Sequence, residues 1–265
     1  MDASPSASRI VAWTKFAVFA AAVVGGVAYG AAQMNYAWKW HQVPRFVVRV
    51  IDGQVYPGPL LKGLAVTLEI SAVSFVAALA IGLATALCRM SGSVVARGLA
   101  RIYLEVVRNT PLLVQLFFVF FGLPALGLKL SLFWSGVLAL TLWAGAFQVE
   151  NVRGGLAAIS PGLREAARAL ALTRGQYLRL VGLPMAVRTG LPSMLNTCVS
   201  LVKNSAYVSA IGLQDLAGVA FDRIASDFRA FEMLAVLLVG YLALVLSLSV
   251  AVRFLEHRLQ APFRA

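Results

Sequence analysis

Six blocks of apolar residues, each about as long as a membrane is thick, leave this chain few folds to choose from. A helix needs about 20 mostly apolar residues to cross the roughly 30 Å hydrocarbon core of a bilayer. The blocks are 16–32, 64–87, 110–128, 130–149, 191–212 and 233–252. Their unbroken apolar character predicts helices, because the strands of a membrane barrel would alternate apolar and polar residues. Composition agrees: 60% of the 265 residues are hydrophobic and 13% are charged, about half the charged fraction of a soluble domain. The sequence therefore predicts an all-α integral membrane protein with about six transmembrane helices.

The net charge is +12. Excess Lys and Arg is often a mark of nucleic-acid or acidic-surface binding. In membrane proteins, however, basic residues concentrate on the cytoplasmic side. With the N-terminus inside, fifteen of the 23 basic residues fall on the inner side, Arg9, Arg258 and Arg264 among them. Seven fall outside and Lys203 lies within a span. The predicted orientation is N-in and C-in; the partner this charge implies is the lipid membrane, with no nucleic acid. The first span admits two readings. Arg9 and Lys15 before a 14-residue apolar stretch also fit a cleaved secretory signal, but the late start and the lack of a clean cleavage pattern favour a retained span. Cys88 and Cys198 lie in or beside separate spans, and His41 and His257 are far apart, so neither a disulfide framework nor a metal site is predicted.

Between the spans, 33–59 reads as an outer loop, 88–103 as a short basic inner loop and 151–190 as a longer inner loop. In 213–231, Asp215, Asp222, Arg223, Asp227 and Arg229 exclude burial in lipid. The 151–190 loop is too polar to cross a membrane, yet it is patterned. Ser160 suits an N-cap and Pro161 the first helical position. Leu163, Ala167 and Leu170 recur at i, i+4 and i+7 as one apolar stripe, with Arg164, Glu165 and Arg168 on other faces. Thr173-Arg174-Gly175-Gln176 is a capping-box pattern that starts a second helix, and Leu183-Pro184 is expected to break it. Such an element fits two uses: a helix lying on the inner leaflet, or one that inserts into a groove on a cytoplasmic partner.

Glu165-Ala166-Ala167, three residues, Ala171, nine residues, then Val181-Gly182-Leu183-Pro184 resembles the "EAA" loop of bacterial ABC importer permeases. That family usually has Gly where Ala171 stands; Ala lacks the freedom of Gly at positive φ. The run Glu105-Val106-Val107-Arg108-Asn109-Thr110-Pro111-Leu112-Leu113-Val114-Gln115 is similar to a span start in the polar amino acid uptake permeases. Val152-Arg153-Gly154-Gly155, Leu201-Val202-Lys203-Asn204-Ser205-Ala206 and Ile211-Gly212-Leu213-Gln214-Asp215-Leu216 resemble later segments of the same group. The matches cover roughly residues 60–254.

The resemblance implies the transmembrane fold of type I ABC importers over residues 60–256, with 1–59 as an N-terminal segment carrying the first span and an outer loop. It implies uptake of a glutamate-, aspartate- or glutamine-like amino acid across the bacterial cytoplasmic (inner) membrane. Its partners would be two ABC ATPase subunits, a second permease (same or sister chain) and an extracytoplasmic binding protein. Arg164, Glu165, Ala166, Ala167, Arg168, Ala171, Leu183 and Pro184 would form the ATPase-coupling element. ATP and Mg would sit on the ATPase, with no cofactor bound by this chain. The chain itself has no G-x-x-x-x-G-K-[ST] phosphate loop. The alternative is a self-powered secondary amino acid carrier, although the inverted repeats common in carriers are not visible.

Polar groups inside spans are costly in lipid and face a cavity or a partner. Asn196, Ser200, Lys203, Asn204 and Tyr207 form one stripe at i, i+4, i+7, i+8 and i+11. Lys203 either receives a substrate carboxylate or pairs with Glu69 or Glu150; the sequence leaves both open. Gln115 and Gln148 either line the passage or join helices by hydrogen bonds. Glu105 and Arg108 are spaced for a local pair.

Overall fold

The computed structural model describes residues 5–34 and 36–260, with side chains over 11–34 and 36–256. Arg264 lies outside the described residues, and Arg9, His257 and Arg258 outside the described side chains. One compact unit ends at Trp40 and a second begins at His41. The first holds α1 (Pro5–Gln33), whose stretch Val11–Gln33 is long and apolar enough to cross a membrane.

The second unit opens with α2 (Pro44–Val47) and adds a hairpin to the all-α expectation: β1 (Val48–Ile51) pairs antiparallel with β2 (Gln54–Pro57). Its turn is Asp52-Gly53, both at positive φ. Asp-Gly between β-prone residues is the signature of this turn.

There follow α3 (Pro59–Met90), α4 (Val94–Arg108), α5 (Leu112–Phe117), α6 (Leu123–Ala125), α7 (Leu132–Ala157), α8 (Pro161–Ala169), α9 (Arg174–Tyr177), α10 (Leu183–Asn204), α11 (Leu216–Asp227) and α12 (Ala230–Gln260). Besides the stretch in α1, the helices α3, α7 and Ala230–Glu256 of α12 are long and apolar enough to span; Val94–Arg108 with Leu112–Ala125, bent by 109°, makes a fifth if the pair counts as one. The expected basic loop 88–103 is thus mostly α4, and the expected span 110–128 shrinks to Leu112–Ala125. At 1.5 Å per residue that is about 21 Å of helix, short of a roughly 30 Å core.

The expected span 191–212 also differs. Its helix starts earlier, at Leu183, ends at Asn204 and passes into a 3-10 turn, Ser205–Ile211. It is not among the helices apolar enough to span, since it carries Arg188, Asn196 and Lys203 along its length. Its polar groups bond to protein instead: Thr189 Oγ1 donates to the Gly155 carbonyl at 3.0 Å, and Asn151 Nδ2 donates to Thr197 Oγ1 at 3.1 Å.

Small residues bring the helices together. Apart from Leu60 and Ile70, the buried positions of α3 are small: Gly63, Thr67, Ser71, Ser74, Ala78, Gly82 and Ala86, and α3 runs along α7. A β-carbon at Gly82 would collide with that of Gln148. Where α10 crosses α7, one at Gly155 would collide with the carbonyl of Ala186. Lipid is as apolar as the side chains, so close backbone approach, rather than hydrophobic burial, joins such helices. Ile70, Leu116, Leu140 and Leu201 fill the space between α3, α5, α7 and α10. Phe46, Leu60, Leu216 and Met233 form a second cluster that ties α2 to α11 and α12. Of the 213–231 charges, two are buried in protein: Asp215 is 0% and Arg229 7% exposed.

Candidate functional site

The segment between α7 and α10 is capped at every turn. Ser160 Oγ accepts the amide of Leu163 at 3.4 Å and Pro161 opens α8. The helix closes in a Schellman pattern: Ala171 N bonds to the Arg168 carbonyl at 2.9 Å and Leu172 N to that of Ala167 at 3.1 Å. That pattern needs a left-handed residue at its centre, and Ala171 takes it at φ +50°. An L-residue there costs roughly 1–2 kcal/mol. Thr173 and Gln176 then exchange both bonds of a capping box, at 2.9 and 3.3 Å.

Leu183-Pro184 does not break the chain as expected. A π turn, Leu178–Gly182, precedes it, and Leu183 N bonds back to Leu178 O, so the backbone runs from α9 into α10 without interruption. Gly122-Leu123-Pro124 repeats this after a π turn at Phe118–Gly122. Proline lacks an amide and crowds the carbonyl four residues back; a widened turn makes room for the ring.

The faces of α8 differ from the expected stripe. Ala167 is buried and Leu163 half-buried, but Leu170, at the C-cap, is 74% exposed. Glu165, Ala166 and Arg168 are exposed. Arg164 is exposed too, and it donates to the carbonyls of Leu156 and Ala157 at 2.9 and 3.3 Å. It adds a side-chain donor to the C-terminal carbonyls of α7 and ties α8 to that helix. Along α8 and its C-cap, Pro161, Gly162, Arg164, Glu165, Ala166, Arg168, Ala169 and Leu170 are all exposed.

The second candidate group lies on α10. Asn196 and Lys203 are exposed, and Ser200 and Asn204 half-buried, along one side. Among the described residues Lys203 makes no ion pair with Glu69 or Glu150. Glu69 is exposed on α3. Glu150 is held by Arg153 at 2.6 Å, Arg89 at 2.9 Å and Arg108 at 3.5 Å. Arg108 thus reaches Glu150 rather than Glu105, which instead accepts Asn109 Nδ2 at 3.1 Å. Gln115 and Gln148 stand apart from the α10 stripe. Gln115 donates to the carbonyls of Val107 and Thr110, both at 2.8 Å, and so holds the bend between α4 and α5. Gln148, 1% exposed, donates to Met194 O at 3.3 Å and accepts Asn151 Nδ2 at 2.9 Å, joining α7 to α10.

Sequence reasoning missed the role of Asp215. Its Oδ1 caps α11 by accepting Gly218 N at 2.8 Å, while its Oδ2 faces Tyr241 OH at 3.3 Å and Thr67 Oγ1 at 3.5 Å. Burial pushes the carboxyl up to about 6, against hydrogen bonds that favour the anion. The available signal was an Asp three residues before Gly218, an N-cap pattern.

This arrangement has known counterparts. The model of the binding-protein-dependent transport system inner membrane component matches residues 78–261. The arginine transport system permease ArtQ of Bacillus subtilis is 36% identical over 203 residues, covering 76% of this chain and 93% of that protein. The glutamine transport system permease GlnP of Escherichia coli K12 is 35% identical over the same shares. A crystal structure of an amino acid ABC transporter with histidines superposes at a TM-score of 0.72, with 34% identity, 76% of this chain and 94% of that one covered. The inward-facing MetNI methionine ABC transporter gives a TM-score of 0.64 at 25% identity, over 76% and 95%. A self-powered carrier has no place among these relatives. The chain belongs to the family of binding-protein-dependent transport system inner membrane components, the permease subunits of ABC importers.

Proposed function

We propose that this chain is half of a transmembrane pair that moves a polar amino acid inward through the bacterial cytoplasmic membrane. Residues 60–256 form the transport core and 1–59 an N-terminal addition. The second half is another copy or a sister chain; an extracytoplasmic binding protein delivers the substrate, and two ATPase subunits hold ATP and Mg. The observation that carries this reading is the 151–190 segment. It presents Glu165, Arg168 and Leu170 outward while Arg164 anchors it to the end of α7. On its other side it runs through α9 and a π turn into α10.

The geometry suggests how force is passed on. Closure of the ATPases displaces α8 as a rigid body, a common form of switching motion. Through Arg164 and the unbroken backbone beyond Thr173, the displacement reaches α7 and α10 together. The α10 helix carries the exposed Asn196 and Lys203. We assign Lys203 to a substrate carboxylate, with Asn196, Ser200 and Asn204 as hydrogen-bonding neighbours. Its lack of an ion pair with Glu69 or Glu150 supports this role over a structural one.

Two measurements test the assignment. The tagged permease should co-purify with a separately encoded ATPase, and the reconstituted complex should show amino-acid-stimulated ATP hydrolysis in the presence of its binding protein. Lys203→Met should assemble normally and lose most uptake. Unchanged affinity and rate would remove Lys203 from the pathway while leaving the importer reading intact.

A further inference from the structure

The residues of α4 divide by face. Val95, Leu99, Ile102 and Val106 recur at i, i+4, i+7 and i+11 and are 58–71% exposed. Leu104 and Val107 are buried in a cluster with Ala146 and Val149 of α7. The basic face lies away from the exposed apolar one: Arg97, Arg101 and Arg108, with Glu105, line a cavity of about 690 Å³ whose other wall includes Arg89 and Glu150. The segment that follows, Leu112–Ala125, turns away by 109°. If that segment runs into the membrane, α4 lies nearly in its plane. An apolar face toward acyl chains and a basic face at headgroup depth is the habit of an interfacial helix.

The depth of the cavity agrees. Arg89 is in the last turn of α3, and Glu150 stands about two turns from the end of α7. These are the ends that lead toward α8, the cytoplasmic side by the charge distribution. The cavity also has charge to spare. Arg89 and Arg108 are engaged with Glu150. Arg97 donates only to the carbonyl of Ser91, at 2.9 Å, and among the described residues no carboxylate forms an ion pair with Arg97 or Arg101.

We propose that this cavity binds the phosphate of an anionic phospholipid of the inner leaflet, with Arg97 and Arg101 as its donors and the Arg89–Glu150–Arg108 cluster as a fixed wall. Guanidinium groups match phosphate oxygens with paired donors, and basic pockets between spans on the cytoplasmic side suit lipid headgroups. This inference rests on the placement of α3, α4 and α7 and is independent of which substrate the permease carries.

The test is native mass spectrometry of the full chain in neutral detergent, titrated with phosphatidylglycerol and with phosphatidylcholine. The wild type should retain phosphatidylglycerol selectively. Arg97→Gln/Arg101→Gln should lose that selectivity by about 30-fold, roughly fivefold for each arginine. Arg101→Gln alone, which removes no hydrogen bond to protein, should lose about fivefold and keeps the test open if the double variant does not fold. Arg174→Gln/Arg179→Gln, equal in charge change but outside the lining of the cavity, should behave as wild type. Equal retention of both lipids by the wild type, undiminished selectivity in the α4 variants, or an equal loss in the remote variant would overturn the proposal. So would inorganic phosphate binding as tightly as phosphatidylglycerol, which would make this a site for the free ion.

Discussion

At Gly155 a β-carbon would strike the carbonyl of Ala186, whereas at Gly162, in α8, nothing lies within 4 Å. The two positions are a few residues apart yet belong to regions built on different rules. Within α3, α7 and α10 small residues fix how closely helices approach, and Gln148, Asn151 and Thr197 form a buried or half-buried chain of hydrogen bonds between α7 and α10. In 160–182 shape comes from local bonds: two side-chain N-caps, a Schellman closure and a π turn, with Ala167 the one buried side chain. The first region resists change because its volume is fully used. The second keeps its form through a few capping side chains and leaves Glu165, Arg168 and Leu170 exposed.

The contrast can be broken at several points. The largest effect is expected from Gly155→Ala, which should destabilise the folded protein by about 3 kcal/mol through overpacking; its neighbour Gly154, with no atom within 4 Å of a β-carbon, should accept Ala without loss. Thermal unfolding in detergent compares the pair, and equal behaviour would refute close approach as the basis of the α7–α10 contact.

Next comes Asp215, at the outer edge of the buried region. Its folded-state carboxyl is raised to about 6, above the ordinary value near 4. The folded state therefore favours the protonated form. That contribution is full below about pH 4 and is lost as pH rises through about 6, a change of about 3 kcal/mol. Asp215→Asn, which keeps an N-cap side chain, should flatten the slope of stability against pH across that window. An unaltered slope would show that Asp215 is not the titrating group.

The smallest effect belongs to the exposed segment. Ala171→Gly should relieve the left-handed strain at φ +50° and stabilise the bend by about 1 kcal/mol. Slower local amide exchange over 168–172 would register it. Faster exchange would mean that the flexibility of Gly outweighs the relief.

Much of this was readable beforehand. Apolar runs reveal spans because lipid cannot hydrogen-bond an open backbone. Ser160, Pro161, Thr173 and Gln176 announced the helix starts of the exposed segment because caps are local chemistry. What the sequence hid was mostly long-range. Arg108 is spaced to pair with Glu105, yet the fold brings it to Glu150 on another helix. Arg164 also reaches back to the Leu156 carbonyl at the end of α7, a bond that its spacing does not announce. Two misses were local. The region 88–103 was read by its charge, although Val95, Leu99, Ile102 and Val106 carried a helical period. Leu183-Pro184 was read as a break, because a π turn that accommodates a proline has no signature of its own.

The central claim is that Glu165, exposed on a segment anchored to α7 and continuous with α10, passes the ATPase movement to the spans. The most direct measurement is the ratio of ATP hydrolysed to amino acid moved by the reconstituted complex with Glu165→Arg. Uptake should fall by roughly tenfold or more, the worth of one charge-assisted contact, while the complex stays assembled and basal hydrolysis continues. Wild-type uptake together with wild-type substrate stimulation of the ATPase would contradict the account.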